Sequence, residues 1–348
     1  MIEIKNIVRE NILKITPYSC ARDEFKGSDG IFLDANENPY GTLNRYPDPY
    51  QKELKKAISE KKNIDANRIF IGNGSDEIID LCFRTFCVPG KDKAMILPPT
   101  YGMYEVSAGI NDIALVKIPL NEEFQPDIPQ IKKNLSDANL KLIFICSPNN
   151  PTGNSVDERD VRFLLENFNG IIVIDEAYID FSKKQSFIKL VEKYNNLIIM
   201  QTFSKARGLA AARIGMAFTD QEIVKYFNKV KPPYNISTIN QKAALARIRQ
   251  EEESKEIVAA LIEERERVAE QITKLGIIEK VYPSDSNFLL AKVSDATELY
   301  NYLVKRNIII RNRNSIIRNC VRITIGRKNE NDELLKAIKE YEQHKGNN

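Results

Sequence analysis

Residues 197–215 read LIIMQTFSKARGLAAARIG. Four consecutive apolar residues, Leu197 to Met200, suit a strand buried on both faces better than one with a wet side. The run ends at Thr202, and Phe203, Ser204 and Lys205 follow it before Gly208 breaks the pattern. A lysine therefore stands just past the carboxyl end of a buried strand, where open α/β sheets bind ligands. Arg207 and Arg213 stand close by in sequence, and a like charge disfavours the ammonium form, leaving an amine suited to imine chemistry. Taken alone, such a lysine is more often an ordinary surface residue.

Working outward, residues 68–71, 93–97, 114–118, 142–146 and 171–174 form further short apolar runs, and amphipathic stretches such as 75–87 and 157–168 separate them. Val/Ile-rich strands alternating with helices predict an α/β fold with a mostly parallel sheet covered by helices. From 237 to 275 the pattern becomes a long charged helix. The EEESKE run inside it reads as a solvated helix face or a break between two helices. Strand-like 287–293, 308–311 and 321–325 and helix-like 296–305 then predict a smaller α+β domain. The expected division is an N-terminal arm at 1–35 packing with the small domain, a large domain at 36–236 and a small C-terminal domain at 237–348.

Composition removes several classes of function. A net charge of +3 with no basic block offers nucleic acid no electrostatic footprint. No apolar run approaches the roughly 20 residues of a membrane span, and the opening MIEIKNIVRENILKI lacks the apolar centre of a signal peptide; a cytoplasmic protein is expected. The five cysteines show no paired spacing and read as small buried hydrophobes. The single histidine, His344, lies in a polar tail. Its isolation removes Ser-His-Asp triads, Cys-His pairs and histidine metal sites, so no metal is expected. An enzyme with this composition must work through Lys, Asp, Tyr and Arg, or through a cofactor.

The other strand ends carry matching signals. Gly72-Asn73-Gly74-Ser75-Asp76-Glu77 opens a helix and offers free N–H groups to a phosphate, though an ordinary capped turn has the same look. Ser147-Pro148-Asn149-Asn150-Pro151-Thr152-Gly153 is either a rigid turn or a loop that presents the Asn150 amide to a ligand oxygen. Asp175, in Asp175-Glu176-Ala177-Tyr178, is a carboxylate directly after a buried strand, costly there unless it meets a cation or caps a helix. Pyridoxal 5'-phosphate (PLP) needs a lysine, a carboxylate for its ring nitrogen, donors for its phenolic oxygen, a phosphate pocket and an aromatic over its ring. Lys205, Asp175, Asn150 with Tyr178, Gly74–Ser75 with Ser204 and Arg213, and Tyr101 in Pro98-Pro99-Thr100-Tyr101-Gly102 are candidates for each part.

SPNNPTG, DEAY and SKARGLAAARIG, in this order and spacing, resemble the fold-type-I PLP-dependent aminotransferases over nearly the whole chain. TPYSCARDEF, LDANENPYG, RYPDPY, GNGSDEIIDL, PPTYGMY and VRITIG resemble the histidinol-phosphate aminotransferase branch of that family. The resemblance implies a large PLP-binding domain with a smaller α+β domain. Lys205 would be the Schiff-base lysine and proton carrier, Asp175 the partner of the pyridine nitrogen, and Asn150 and Tyr178 the partners of the phenolic oxygen. Tyr101 would stack on the ring, and Gly74, Ser75, Asp76, Thr202, Ser204 and Arg213 would line the phosphate side. Tyr46 would reach the PLP phosphate of a partner subunit, which implies a homodimer with shared sites. Arg322 would receive the substrate carboxylate; Tyr18, Asn36 and Arg311 would serve the substrate side, Tyr18 and Arg311 at its phosphate end, with Arg313 competing with Arg311 for that place. Arg207 stands where relatives carry an aromatic or another residue, and is expected to face solvent.

The implied activity is transamination between L-histidinol phosphate and 2-oxoglutarate, giving imidazole-acetol phosphate and L-glutamate, a step of histidine biosynthesis. An aromatic amino-acid aminotransferase and an L-threonine-O-3-phosphate decarboxylase share the core motifs. A non-catalytic PLP-binding module is a reading of another class, and the intact substrate-side residues count against it.

Overall fold

The computed structural model describes residues 2–18 and 30–346. Seven strands, β1 (Ile69–Asn73), β2 (Lys93–Ile96), β3 (Ala114–Lys117), β4 (Leu140–Cys146), β5 (Ile171–Asp175), β6 (Leu197–Thr202) and β7 (Ile214–Phe218), form one sheet in the order β1-β7-β6-β5-β4-β2-β3. β2 to β6 pair in parallel, whereas β7 runs antiparallel to both β6 and β1. The sequence pattern does not reveal β7, because IGMAF contains a glycine and follows the lysine segment with no turn signal of its own.

Strand alternation divides the core in two. Ile143, Ile145, Ile172, Ile174, Leu197 and Ile199 pack on one face against helices Lys52–Lys62, Glu158–Asn167 and Thr238–Arg249. Leu142, Phe144, Ile171, Val173, Ile198 and Met200 pack on the other against Gly74–Phe86, Met103–Ile110 and Gln221–Val230. The central strands β5 and β6 are buried throughout, as their unbroken apolar runs require.

A second sheet, β10-β11-β9-β8, is antiparallel and is built from β8 (Ile278–Val281), β9 (Phe288–Val293), β10 (Arg311–Asn312) and β11 (Cys320–Thr324). Its core is closed by Val268 and Ile272, Leu299 and Leu303, and Leu334 and Ile338, from three helices. IEKV at β8 escapes sequence reading because two of its four residues are charged and exposed.

Packing corrects two expectations about domain limits. The chain start packs on the large sheet rather than on the small domain: Ile4, Val8 and Ile12 are buried against Phe70, Ile223 and Phe227, and the Arg9 N–H reaches the Thr85 carbonyl at 3.0 Å. The 237 boundary also moves, because Ala244, Leu245 and Ile248 of helix Thr238–Arg249 pack in the large core. That helix ends at Gln250, and Glu251–Thr273 starts at once within the EEESKE run, carrying the chain from one sheet to the other. The four described cysteines are free and buried, and Cys20 lies outside the described residues. Among the described residues, no helix is long and apolar enough to cross a membrane.

Candidate active site

The carboxyl ends of β4, β5 and β6 open onto a cavity of about 520 Å³, walled on the far side by β10 and β11. Lys205, Asp175, Tyr178, Asn150, Tyr101, Ser75, Asp76, Thr202, Ser204 and Arg213 all line it. The ten residues come from five separate stretches of chain, so the fold brings together what the sequence only suggests.

Asp175 ends β5 on the face shared with Leu142 and Phe144, and alternation sends Glu176 to the opposite face. Glu176 is spent there structurally, accepting from the Ser186 hydroxyl, the Phe187 N–H at 2.7 Å and the Gln201 amide at 2.8 Å. Asp175 accepts from the Tyr104 hydroxyl at 2.8 Å and the Ala177 N–H at 3.1 Å. Burial raises its carboxyl to about 6, and these two donors hold it below where burial alone would put it. A buried carboxylate carrying only neutral hydrogen-bond donors suits a cation supplied by a ligand.

Tyr104 is the site residue that sequence reasoning missed. It lies within the quoted PPTYGMY, fully buried, stacked on Phe144 at 4.9 Å and edge-on to Tyr101 at 5.6 Å. Nothing local marks it, because its partner is 71 residues away.

Lys205 projects into the cavity with its Nζ 5.7 Å from the Tyr178 ring centre. Its amine is pulled below the ordinary lysine value first by burial and then by Arg322, with Asp175 opposing and Arg213 a lesser cause. The expected direction thus holds, but the main cause is burial and not a neighbouring arginine. Arg207 turns away from the cavity, half-buried in a cleft with Lys61 and Glu251. The Asn150 amide nitrogen reaches the Tyr178 hydroxyl at 3.4 Å, and its oxygen accepts from Arg322 Nη1. Burial pushes the Tyr178 hydroxyl up, so it is protonated and able to donate.

At the phosphate side, β7 brings Arg213 to the start of helix Gly74–Phe86. The Gly74 N–H donates to the Arg213 carbonyl at 2.9 Å, and Arg213 contacts the Asp76 carboxylate at 3.3 Å. Tyr101 donates to the other Asp76 oxygen at 3.2 Å. Gly74 has φ +75°, and a Cβ there would collide with the Arg213 guanidinium; at Gly215 it would meet the Gly74–Ser75 backbone at 2.5 Å. Both glycines keep the helix start against β7, and a helix start with free N–H groups beside an arginine is a fit receptor for a phosphate.

Four predicted residues do not line this cavity: Gly74, next to Ser75 at the helix start, and three that lie apart from it. Tyr46 stacks on Tyr234 at 4.4 Å, and with Asn36 it lines a separate surface cleft of about 460 Å³. Tyr18 is exposed beside Pro49 and Tyr50. Arg311 and Arg322 do reach the cavity, and so does Arg313.

The model of aminotransferase class I and II matches residues 28–338. The chain belongs to the class I and II aminotransferase family. It is therefore a PLP-dependent transaminase, and the cavity residues fit that cofactor through the buried Asp175, the cradle at Gly74 and the depressed Lys205 amine. Among curated relatives, the histidinol-phosphate aminotransferase of Cytophaga hutchinsonii is 50% identical, covering 97% of this chain and 99% of its own. That of Bacteroides thetaiotaomicron is 48% identical, covering 98% and 100%. The histidinol-phosphate aminotransferase structure from Clostridium acetobutylicum superposes with a TM-score of 0.80 at 27% identity, covering 87% of this chain and 92% of that one. The Sinorhizobium meliloti enzyme, solved in complex with pyridoxal-5'-phosphate, shares the fold at a TM-score of 0.79 and 23% identity, covering 89% and 90%.

Proposed function

We propose that this transaminase is a histidinol-phosphate aminotransferase, passing the amino group of L-histidinol phosphate to 2-oxoglutarate and yielding imidazole-acetol phosphate and L-glutamate. The observation that carries the reading is one cavity with a depressed lysine on one wall and Arg311 and Arg322 on the other. Both substrates are anionic, and planar guanidinium groups suit phosphate and carboxylate better than a point charge does.

PLP, when bound, supplies an electron sink that stabilises negative charge at the substrate carbon bearing the amino group. The protein does the rest. Lys205 Nζ, whose pKa partial desolvation and then Arg322 draw below the ordinary lysine value, would take the proton from that carbon. Asp175 would pair with the protonated ring nitrogen, and its burial away from water would strengthen that pairing. Asn150 and Tyr178 present their amide and hydroxyl to the phenolic oxygen. Tyr101 covers the ring face, and Ser75, Asp76, Thr202, Ser204 and Arg213 receive the phosphate, the first two through backbone N–H groups.

Tyr46, Asn36 and Tyr18 serve the site of a partner subunit in a homodimer, which accounts for their place outside their own cavity. The chain divides into a large domain reaching to about residue 250 and a small domain beyond it, and it works in the cytoplasm. A side-by-side assay of the purified enzyme with histidinol phosphate, phenylalanine and threonine phosphate tests the reading. Histidinol phosphate is expected to be preferred by about 100-fold or more in kcat/KM. Equal use of phenylalanine, or carbon dioxide release from threonine phosphate, would move the protein to one of the sister activities.

A further inference from the structure

Arg311 faces Arg322 across the β10–β11 ladder, so the two side chains share a face of the small sheet. Asn312, between Arg311 and Arg313, points the other way, its amide 3.3 Å from the Thr297 hydroxyl. Arg313 comes two residues after Arg311 and returns to the first face. Its N–H donates to the Cys320 carbonyl at 2.9 Å, and its carbonyl accepts from Ile316 and Ile317 at 2.9 and 2.8 Å, which fixes the backbone there. All three guanidinium groups line the lysine cavity.

Among the described residues, none of the three has a carboxylate within ion-pair distance, and the Nε atoms of Arg313 and Arg322 are buried with no partner. Gathering three cations without an anion is unfavourable. Burial, then Arg322 and Arg311, draws Arg313 down to about 10, which still leaves it charged at neutral pH. The other arginine of the cavity, Arg213, is engaged by Asp76 on the cofactor-phosphate side.

We propose that Arg313 is a third guanidinium of the substrate-anion subsite, placed to bind the amino donor's phosphate together with Arg311 and Arg322. The inference rests on the reading of this cavity as the transamination site. A carboxylate carries one charge and two oxygens, which one planar guanidinium satisfies in bidentate fashion. A phosphate monoester carries about −1.5 to −2 and three acceptor oxygens, and it needs more donors than a single arginine can aim. Arg313 is held on a turn fixed by three backbone hydrogen bonds, so its presentation requires no rearrangement of the chain.

The test compares holoenzymes carrying R313M and R313K with the wild type on histidinol phosphate and on histidinol, the same amine without its phosphate. R313M is expected to lower the kcat/KM ratio between the two at least about ten-fold, mainly through KM for the phosphate monoester. R313K should recover part of that loss. Inorganic phosphate should compete with histidinol phosphate in the wild type and several-fold less well in R313M. A ratio within two-fold of wild type, in an R313M enzyme with unchanged thermal unfolding and cofactor absorbance, would overturn the role of Arg313 alone. If R313M does not fold, R313Q replaces it, and a ratio within two-fold of wild type in that variant overturns it equally. A wild-type enzyme that ignores the phosphate would sink the functional reading and the subsite together.

Discussion

Lys205, Asp175 and Asn150 reach one cavity from the ends of three adjacent parallel strands, whereas Tyr18, Asn36 and Tyr46 lie on the surface away from it. The first group follows from the ends of buried, hydrogen-bonded strands, so its placement is set within one chain. In the second group, Asn36 and Tyr46 belong to a segment with short-range contacts of its own, such as Arg45 to Glu37 at 2.7 Å and the Asn44 amide to the Asn38 carbonyl at 2.9 Å. Ile31, Leu33 and Tyr40 in that stretch are exposed large apolar residues, an arrangement that fits a surface meant to be covered. One region therefore builds chemistry into the fold, and the other leaves large apolar side chains exposed at the surface.

This contrast can be broken experimentally. The largest effect belongs to Lys205. Lys205→Ala should lower turnover by about a thousand-fold or more, since it removes both the cofactor attachment and the proton carrier; steady-state rates with histidinol phosphate check it, and a variant of near wild-type rate would disprove the assignment.

Asp175→Asn measures what the preformed wall costs the apoprotein. The carboxyl titrates at about 6 in the folded chain against an ordinary 3.8. Below pH 3.8 both folded and unfolded chains are protonated, and burial of the group costs nothing. The cost grows between 3.8 and about 6 and is complete above that, on the order of 3 kcal/mol. Asp175→Asn apoprotein should accordingly be more stable than wild type at pH 8, with the gap closing as the pH falls to 4. Denaturant melts at the two pH values give the comparison; a variant less stable at pH 8 would contradict it.

Mixing probes the other region. Lys205→Ala and Tyr46→Ala enzymes, unfolded together and refolded, should regain up to about a quarter of wild-type activity if sites are shared in a two-fold dimer. No gain over the separate variants would return Tyr46 to its own chain. The smallest effect is at Tyr104. Tyr104→Phe removes one donor from Asp175, about 1.5–3 kcal/mol for a hydrogen bond to a charged group. It should raise the Asp175 pKa in the apoprotein, followed by carboxyl NMR, and weaken PLP binding up to about ten-fold; an unchanged Asp175 titration would reduce Tyr104 to packing.

The sequence reveals this site unevenly, for a physical reason. Unbroken apolar runs identify β4, β5 and β6 because they are buried on both faces, and the residue after each run is then placed by topology alone. Lys205, Asp175 and Asn150 are legible in that way. β7 is hidden by its glycine, although it carries Arg213 to the helix start. Tyr104 and the Arg313–Arg322 proximity are hidden because they arise from long-range packing and strand register, which no local pattern encodes. The placement of Tyr46 outside its own cavity is foreseen only through family resemblance, since composition and spacing carry no signal for a second subunit.

The central claim is that Lys205 holds the cofactor. Borohydride reduction of the holoenzyme fixes PLP to its lysine as a stable secondary amine, and peptide mass spectrometry then locates it. The account predicts a phosphopyridoxyl group on the peptide containing Phe203-Ser204-Lys205-Ala206 and none after Lys205→Ala. A label on any other lysine, or none on the reduced wild-type enzyme, would contradict it.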